Sequence, residues 1–334
     1  LQNCQRGVER RLNGALKIRI LIVTPAKQGS LLGNSVTAGR WRKLLLKLGH
    51  DVTVANRCLR GSFDLLIALH ARKSHEAVVQ FNTRNSRKPV IVAMTGTDLH
   101  CDLGRSKKVE ESLDRADRIL LLEPKAGVKL AKKYQKKIRV IYQSASLVRP
   151  RPKRLTRWFE VTVIGHLRPV KDPFRTAHAA LGLPADSRIR VVQIGRTLDR
   201  SMELTARSLT EKFSRYKFLG ALSHLETQRR LARSRVTVLS SKSEGGPAVL
   251  SEAIVNSVPI LASRIHATEG ILGEAYPGMF RVGDTRHLTE LLYQAEKDSL
   301  FRRQLLESTR EMKQKLQPSF EVNAWRTLVD EFDI

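Results

Sequence analysis

SKSEGGPAVLSEAIVNSVPILAS, residues 241 to 263, decides the architecture. Apolar RVTVLSS (235–241) ends in a Gly-rich turn, an apolar helical stretch follows, and VPILAS (258–263) forms the next strand. Two strands joined through a helix run parallel, because a hairpin turn cannot connect them. Pro247 suits the first helical turn, where its missing N–H is no loss, and Gly245 and Gly246 let backbone approach a ligand closely. Gly245, Gly246, Pro247, Ala248 and Val249 thus build a turn and helix start whose free N–H groups and positive dipole end suit a diphosphate. Glu244 before the helix and Glu252 within it can each accept two hydroxyl hydrogens from a vicinal diol. Spacing alone would mean little, since Glu203 and Glu211 are equally far apart; the surrounding strand, turn and helix set the first pair apart.

Working outward, the same grammar recurs. IRILIVTP opens a strand, loop, helix and strand unit that ends in DVTVA, and further buried strands are expected at 63–70, 89–96, 118–123 and 138–143. The basic, proline-bearing SLVRPRPKRLTR (146–157) interrupts the rhythm, and FEVTVIGHLRPVKDPF then restarts it, with strands expected at 190–195, 216–220, 235–241 and 258–263. Near-continuous Val, Ile and Leu runs separated by helices predict parallel sheets covered on both faces. The fold class is therefore α/β, with two Rossmann-like doubly wound domains and a cleft between them. The expected boundaries are a flexible extension at 1–16, a first domain at 17–150, a second at 151–310, and a terminal helix at 311–334 crossing back to the first domain. In that helix Val322, Trp325, Leu328, Val329 and Phe332 fall near one face. Ligands in such sheets sit beyond the carboxyl ends of the strands, so loops after strands are where chemistry is sought.

Composition narrows the partners. Sixty Lys and Arg against 32 Asp and Glu leave a formal charge of +28, which favours phosphate esters, polyanions or an anionic surface over neutral ligands. Aromatic residues are only 5% of the chain, too few for the stacking platform that single-stranded nucleic acid needs, so no nucleic-acid partner is expected. Cys4, Cys58 and Cys101 are scattered, which indicates neither a zinc site nor a disulfide framework. Apolar runs such as ILIV (20–23) are too short to span a bilayer, and a cytoplasmic protein without stable membrane insertion is expected.

On the turn at 244–252 the chain resembles the retaining family-four glycosyltransferases, whose two Rossmann-like domains form the GT-B fold. That resemblance implies that Glu244 holds hydroxyls of the donor sugar and Glu252 the ribose. It also implies an arginine and a lysine five positions apart on the loop after the first strand of the second domain, contacting the donor diphosphate. In GHLRPVKDPF (165–174) Lys171 takes the lysine place and His166 the arginine place, with Arg168 as the other source of a cation. A fixed ammonium and a helix N-terminus would stabilise a departing nucleoside diphosphate without metal, and the sequence has no D-x-D motif. No metal and no cofactor are expected; the UDP-sugar is a substrate.

Three first-domain loops complete the candidate site. Gly33 and Asn34, in TPAKQGSLLGNSVTAGRW, resemble the Gly-bearing first loop of GT-B enzymes and are assigned to the donor side. TGTDLH (95–100) resembles a loop lining the acceptor side, with Thr97, Asp98 and His100 as candidates; a capping or packing role for Asp98 and His100 is the other reading. ALHARKSH places His70, Arg72, Lys73 and His75 at a strand end, as an anion receptor or as a solvated helix start.

Taken together, LIVTPAKQGS, LLIALHARKSH, TGTDLH, RVIYQSA, GHLRPVKDPFRTA, SEGGPAVLSEAI and YPGMFRVGDTRHL resemble the selenosugar synthases of selenoneine biosynthesis, an offshoot of the same family. The resemblance implies transfer of a hexose, commonly N-acetylglucosamine, from a UDP-sugar to selenophosphate with formation of a carbon–selenium bond. Two rival expectations remain. One is an ordinary family-four transferase with a sugar or lipid acceptor; the other is a basic nucleic-acid-binding protein that uses its Rossmann domains as scaffold.

Overall fold

The computed structural model describes residues 11–12, 15–25, 33–332 and 334. It divides into two compact units, residues 1–142 with 319–334, and residues 143–318. The first break thus lies at Tyr142, ahead of the expected linker, and the return at Ser319, later than the expected 310/311 boundary. Most of the expected extension, residues 1–10 and 13–14, lies outside the described residues, but β1 (Arg11–Leu12) and β2 (Ala15–Leu16) pair antiparallel.

The first unit is a six-stranded parallel sheet of β3 (Arg19–Val23), β4 (Asp51–Ala55), β5 (Leu65–Leu69), β6 (Val90–Ala93), β7 (Arg118–Leu121) and β8 (Ile138–Val140). Its spatial order is β4-β3-β5-β6-β7-β8. Alternation sends Leu21, Val23, Leu66, Ala68, Val90 and Val92 into one apolar cluster, and Ile20, Ile22, Leu65, Ile67, Ile91 and Ala93 into another. Both faces are therefore dry, which is why these strands read as continuous apolar runs rather than alternating ones. The second cluster includes Trp325, Leu328 and Val329 of the helix Pro318–Asp330, with Val322 and Phe332 packed against it. Residues 310–315 form a separate short helix assigned to the second unit.

The second unit has a six-stranded parallel sheet of β9 (Phe159–Ile164), β10 (Ile189–Ile194), β11 (Tyr216–Phe218), β12 (Val236–Leu239), β13 (Ile260–Ser263) and β14 (Met279–Phe280). The order is β11-β10-β9-β12-β13-β14. The sequence reading lacks β14, because a two-residue strand in YPGMFRV leaves no period to detect. All strands of the two six-stranded sheets run parallel, but the order in which successive strands are added reverses between β9 and β12 in this sheet and between β3 and β5 in the first. At such switch points the loops diverge to opposite faces and open a crevice beyond the strand ends. Among the described non-glycine residues, left-handed backbone occurs at His70, Asp172 and Ser257, and His70 directly follows β5. Asp172 ends the Pro169–Lys171 turn after β9, so two of the three strained positions lie at crevice loops.

Candidate active site

At the second switch point, two segments distant in sequence are joined because β9 and β12 are neighbours in the sheet. After β9 the chain leaves through Gly165 and His166 to a single 3-10 turn, Pro169–Lys171. After β12 it leaves through Ser240 to Pro247 into the helix Ala248–Val255. The two loops are stitched together: Lys242 N–H donates to the Val170 carbonyl at 2.8 Å, and the Ser240 hydroxyl reaches the carbonyls of Lys171 (3.2 Å) and Asp172 (2.9 Å). Arg175 Nε holds the Asp172 carboxylate at 2.8 Å and its Nη1 donates to Thr285 Oγ1 at 2.6 Å, which fixes the far side of the turn.

On this frame Lys171 Nζ forms an ion pair with Glu244 Oε1, and the Ser241 hydroxyl donates to the same oxygen at 2.6 Å. The Glu244 side chain is 10% exposed and that of Lys171 28%, so the pair sits largely out of water while the ammonium keeps an open side. Ser241 is itself anchored, its carbonyl accepting from the Ser263 hydroxyl on β13 at 2.5 Å. This serine is a participant that the sequence reading does not single out, and the signal was adjacency: it lies two residues past β12, in the loop that carries Glu244. Pro247 stands just before the helix rather than in its first turn, with φ −75° and ψ 100°. Glu252 is half-buried in the helix, and its carbonyl holds Asn256 through both N–H (3.2 Å) and Nδ2 (2.9 Å).

His166 is half-buried, and its Nδ1 accepts the N–H of Arg196 at 3.3 Å; Arg168 is exposed at the start of the 3-10 turn. Gly195 is required beside them, since a Cβ there would lie 2.0 Å from the Gly165 carbonyl oxygen. That close approach brings Arg196, which the sequence reading passes over, next to His166. Glu203 of the comparison pair is engaged elsewhere, by Arg207 at 2.7 Å and Thr197 at 3.1 Å.

In the first unit the loops after β5 and β6 are stitched in the same manner. Asp98, fully buried, accepts N–H groups from Ala71 (3.0 Å), Thr95 (3.2 Å) and Gly96 (2.8 Å). Its carboxylate is occupied by backbone, so Asp98 acts here as an anchor. His70 is 2% exposed; its Nδ1 accepts from Lys73 N–H at 3.4 Å, which leaves Nε2 to carry the proton and donate to Thr97 Oγ1 at 2.8 Å. Burial lowers its pKa, outweighing the attraction of Asp98, so the ring is neutral and not a cation for an anionic ligand. Arg72 pairs with Asp102 at 2.8 Å, His75 lies between Ser112 (3.1 Å) and Glu111 (3.1 Å), and His100 Nδ1 meets Lys129 Nζ at 3.3 Å. Lys73 carries the exposed ammonium of this loop. Gly33 and Asn34 begin the helix Gly33–Lys47, and residues 26–32 of their loop lie outside the described residues.

Glu123, also absent from the sequence reading, follows β7 and caps the 3-10 segment Pro124–Lys129 through Lys125 N–H at 2.7 Å. It is fully buried, its Oε1 has no protein partner, and burial pushes its pKa up to about 7 against the pull of nearby N–H groups, Lys125 and Lys129. Between 4.5 and about 7 the folded chain keeps this proton and the unfolded chain has lost it, so folding stability falls as pH rises through that window. We expect Glu123→Gln to flatten this dependence, the wild-type Tm dropping roughly 3 °C more than the variant's from pH 5 to pH 8. Parallel melting curves for the two proteins would remove the protonated carboxyl.

No curated protein matches the chain in sequence. Residues 150–312 match the model of the family described as Glycosyl transferases group 1. Among solved structures the chain is similar to sucrose-phosphate synthase from Thermosynechococcus elongatus, with 14% identity, TM-score 0.75, and coverage of 94% of this chain and 99% of that one. It is also similar to HepE of Anabaena in complex with UDP and glucose, at 15% identity and TM-score 0.70, covering 94% and 100%. A UDP-forming alpha,alpha-trehalose-phosphate synthase from Burkholderia vietnamiensis follows at 12% identity and TM-score 0.64, covering 89% and 78%. Among the described residues no helix is long and apolar enough to cross a membrane, and no three His, Cys, Asp or Glu side chains are grouped to hold a metal ion. With a GT-B fold of two parallel six-stranded sheets and a group 1 glycosyl transferase domain over residues 150–312, the protein is a glycosyltransferase.

Proposed function

We propose that the chain transfers a hexose, N-acetylglucosamine in the first instance, from a UDP-sugar to selenophosphate. A selenium lone pair forms the new bond to the anomeric carbon while the bond from that carbon to the diphosphate oxygen breaks, and UDP leaves with the electron pair. The observation that carries the donor half is the Lys171–Glu244–Ser241 cluster at the switch point, beside the Gly-Gly-Pro turn. Lys171 neutralises the departing diphosphate, with His166 or Arg168 as second cation, while the helix start that follows Pro247 supplies the backbone N–H groups of Ala248 and Val249. Glu244 receives hexose hydroxyls and Glu252 the ribose diol. Support for UDP comes from HepE, solved with UDP and glucose.

The acceptor half rests on the resemblance of nearly everything from Lys17 onward to selenosugar synthases and on the exposed Lys73 and Arg72 after β5. Here Asp98 and His70 position the loop, and Thr97, His100, Arg72 and Lys73 meet the anion. UDP release from UDP-N-acetylglucosamine, followed with and without selenophosphate, tests the reading. We expect release to rise at least about tenfold on adding selenophosphate, the scale of one charge-assisted contact to the acceptor. Equal rates in both would remove the acceptor assignment and favour the ordinary transferase with a carbohydrate or lipid acceptor; no UDP release with any acceptor would remove the donor assignment.

A further inference from the structure

The other end of β9 and β12 carries a second concentration of positive charge, separated from Lys171 and Glu244 by the length of these strands, about 20 Å for β9. Arg235 immediately precedes β12, and Arg151, Arg154, Arg157 and Trp158 precede β9. Arg154 is half-buried, its Nε has no hydrogen-bond partner, and the charges facing it are Arg151, Arg235 and Arg302. Arg302 is held rigidly, its Nη1 donating to the carbonyls of Ala295 (2.6 Å), Glu296 (3.1 Å) and Asp298 (3.1 Å), with the guanidinium 5.8 Å from the centre of the Phe159 ring.

Nearby carboxylates do not answer these charges. Glu160 is engaged by Arg233 at 2.9 and 2.8 Å and approached by Arg230 at 3.8 Å, and Asp298 Oδ1 caps its helix through Leu300 and Phe301 N–H. Like charges gathered partly out of water repel strongly, and a buried unpaired donor costs further stability. Both costs are relieved by one anion with several acceptor oxygens, and the planar guanidinium fork matches phosphate. Base stacking is disfavoured because Trp158 is already covered by the guanidinium groups of Arg157 (5.3 Å) and Arg190 (5.5 Å).

We infer that Arg151, Arg154, Arg235 and Arg302 form a phosphate-binding site at the amino edge of the second sheet, separate from the nucleotide-sugar site and independent of the function proposed above. Two sources share this chemistry, a soluble phosphate and a phospholipid headgroup, and the test separates them. Binding of inorganic pyrophosphate to the full chain is measured by titration calorimetry in a Lys171→Ala background, which takes away the other anion site. Arg154→Gln is then added, and Arg151→Gln serves as a second, more exposed variant. Either glutamine is expected to weaken pyrophosphate binding by about tenfold or more, the scale of one charge-assisted hydrogen bond. Sedimentation with phosphatidylglycerol vesicles is run in parallel; retention lost in the variants while pyrophosphate binding is absent throughout assigns the site to headgroups. Unchanged pyrophosphate and vesicle binding in both variants overturns the proposal, as does binding confined to duplex DNA.

Discussion

Lys171→Met is expected to lower kcat for sugar transfer by roughly 10²- to 10³-fold, the cost of withdrawing one preorganised electrostatic group from a developing oxyanion. Methionine retains most of the side-chain length, so packing on the 3-10 turn changes little and the missing feature is charge. In the free protein the ammonium is neutralised by Glu244, whose acceptor oxygen it shares with the Ser241 hydroxyl. On the function proposed above, negative charge would grow on the open side of Lys171 as the diphosphate leaves, and an ammonium already fixed by its partner would need no reorganisation to meet it. An interaction felt mainly in the transition state lowers kcat and kcat/KM together, whereas a role in holding ground-state substrate would raise KM alone. Lys171→Arg is expected to rescue only in part, because a planar fork cannot reproduce a point charge held on one carboxylate oxygen. A Lys171→Met protein with wild-type melting temperature and kcat within about threefold of wild type would remove Lys171 from the transition state, against the magnitude expected of such groups.

How much of this site was legible in the sequence depended on range. The 241–263 segment disclosed strand, turn and helix because every signal in it is local: Gly-Gly-Pro, the apolar run, and a second apolar strand. The pairing of Lys171 with Glu244 is not local, and it follows from β9 and β12 being neighbours, which no spacing encodes. Arg196 was invisible for the same reason, since it reaches His166 only through the approach of Gly195 to Gly165. In the first unit, the run ALHARKSH reads as two cations beside two imidazoles at one strand end, yet burial turns His70 into a neutral hydrogen-bonded residue and Asp102 takes up Arg72. Glu123 ended an apolar strand and gave no sign of its protonation, because a carboxyl's pKa is set by the solvent it loses. Charge read from composition is formal, and tertiary burial decides where it acts.

Trp325→Ala is expected to destabilise the first unit by about 3 to 5 kcal/mol, the range for emptying a large buried aromatic site. Trp325 is fully buried and meets the equally buried Trp41 edge-on, with ring centroids 5.0 Å apart at 65°. Around them lie Ile20, Ile22, Leu45 and Leu328, all on one covered face of the first sheet. The contact joins segments that stand at opposite ends of the chain: Arg40 Nε bonds both oxygens of buried Glu321, 281 residues away, at 3.1 and 3.0 Å. Further along the same helix and just beyond it, Glu331 accepts from Arg139 Nε at 2.6 Å and also pairs with Arg118. These ion pairs orient the helix, but the apolar face supplies the larger share of its attachment, since partly exposed pairs contribute little after desolvation and entropy. Neither Trp41 Nε1 nor Trp325 Nε1 has an acceptor among the protein atoms. Trp325→Phe, which removes an unsatisfied donor while keeping a ring, should therefore cost less than about 1.5 kcal/mol. Urea unfolding followed through Trp41 emission in a Trp158→Phe background separates the cases: a large loss for alanine and a small one for phenylalanine means that apolar packing holds the returning helix. A loss below about 1 kcal/mol for alanine, far under the expected range for such a cavity, would transfer that role to the Arg40–Glu321 pair.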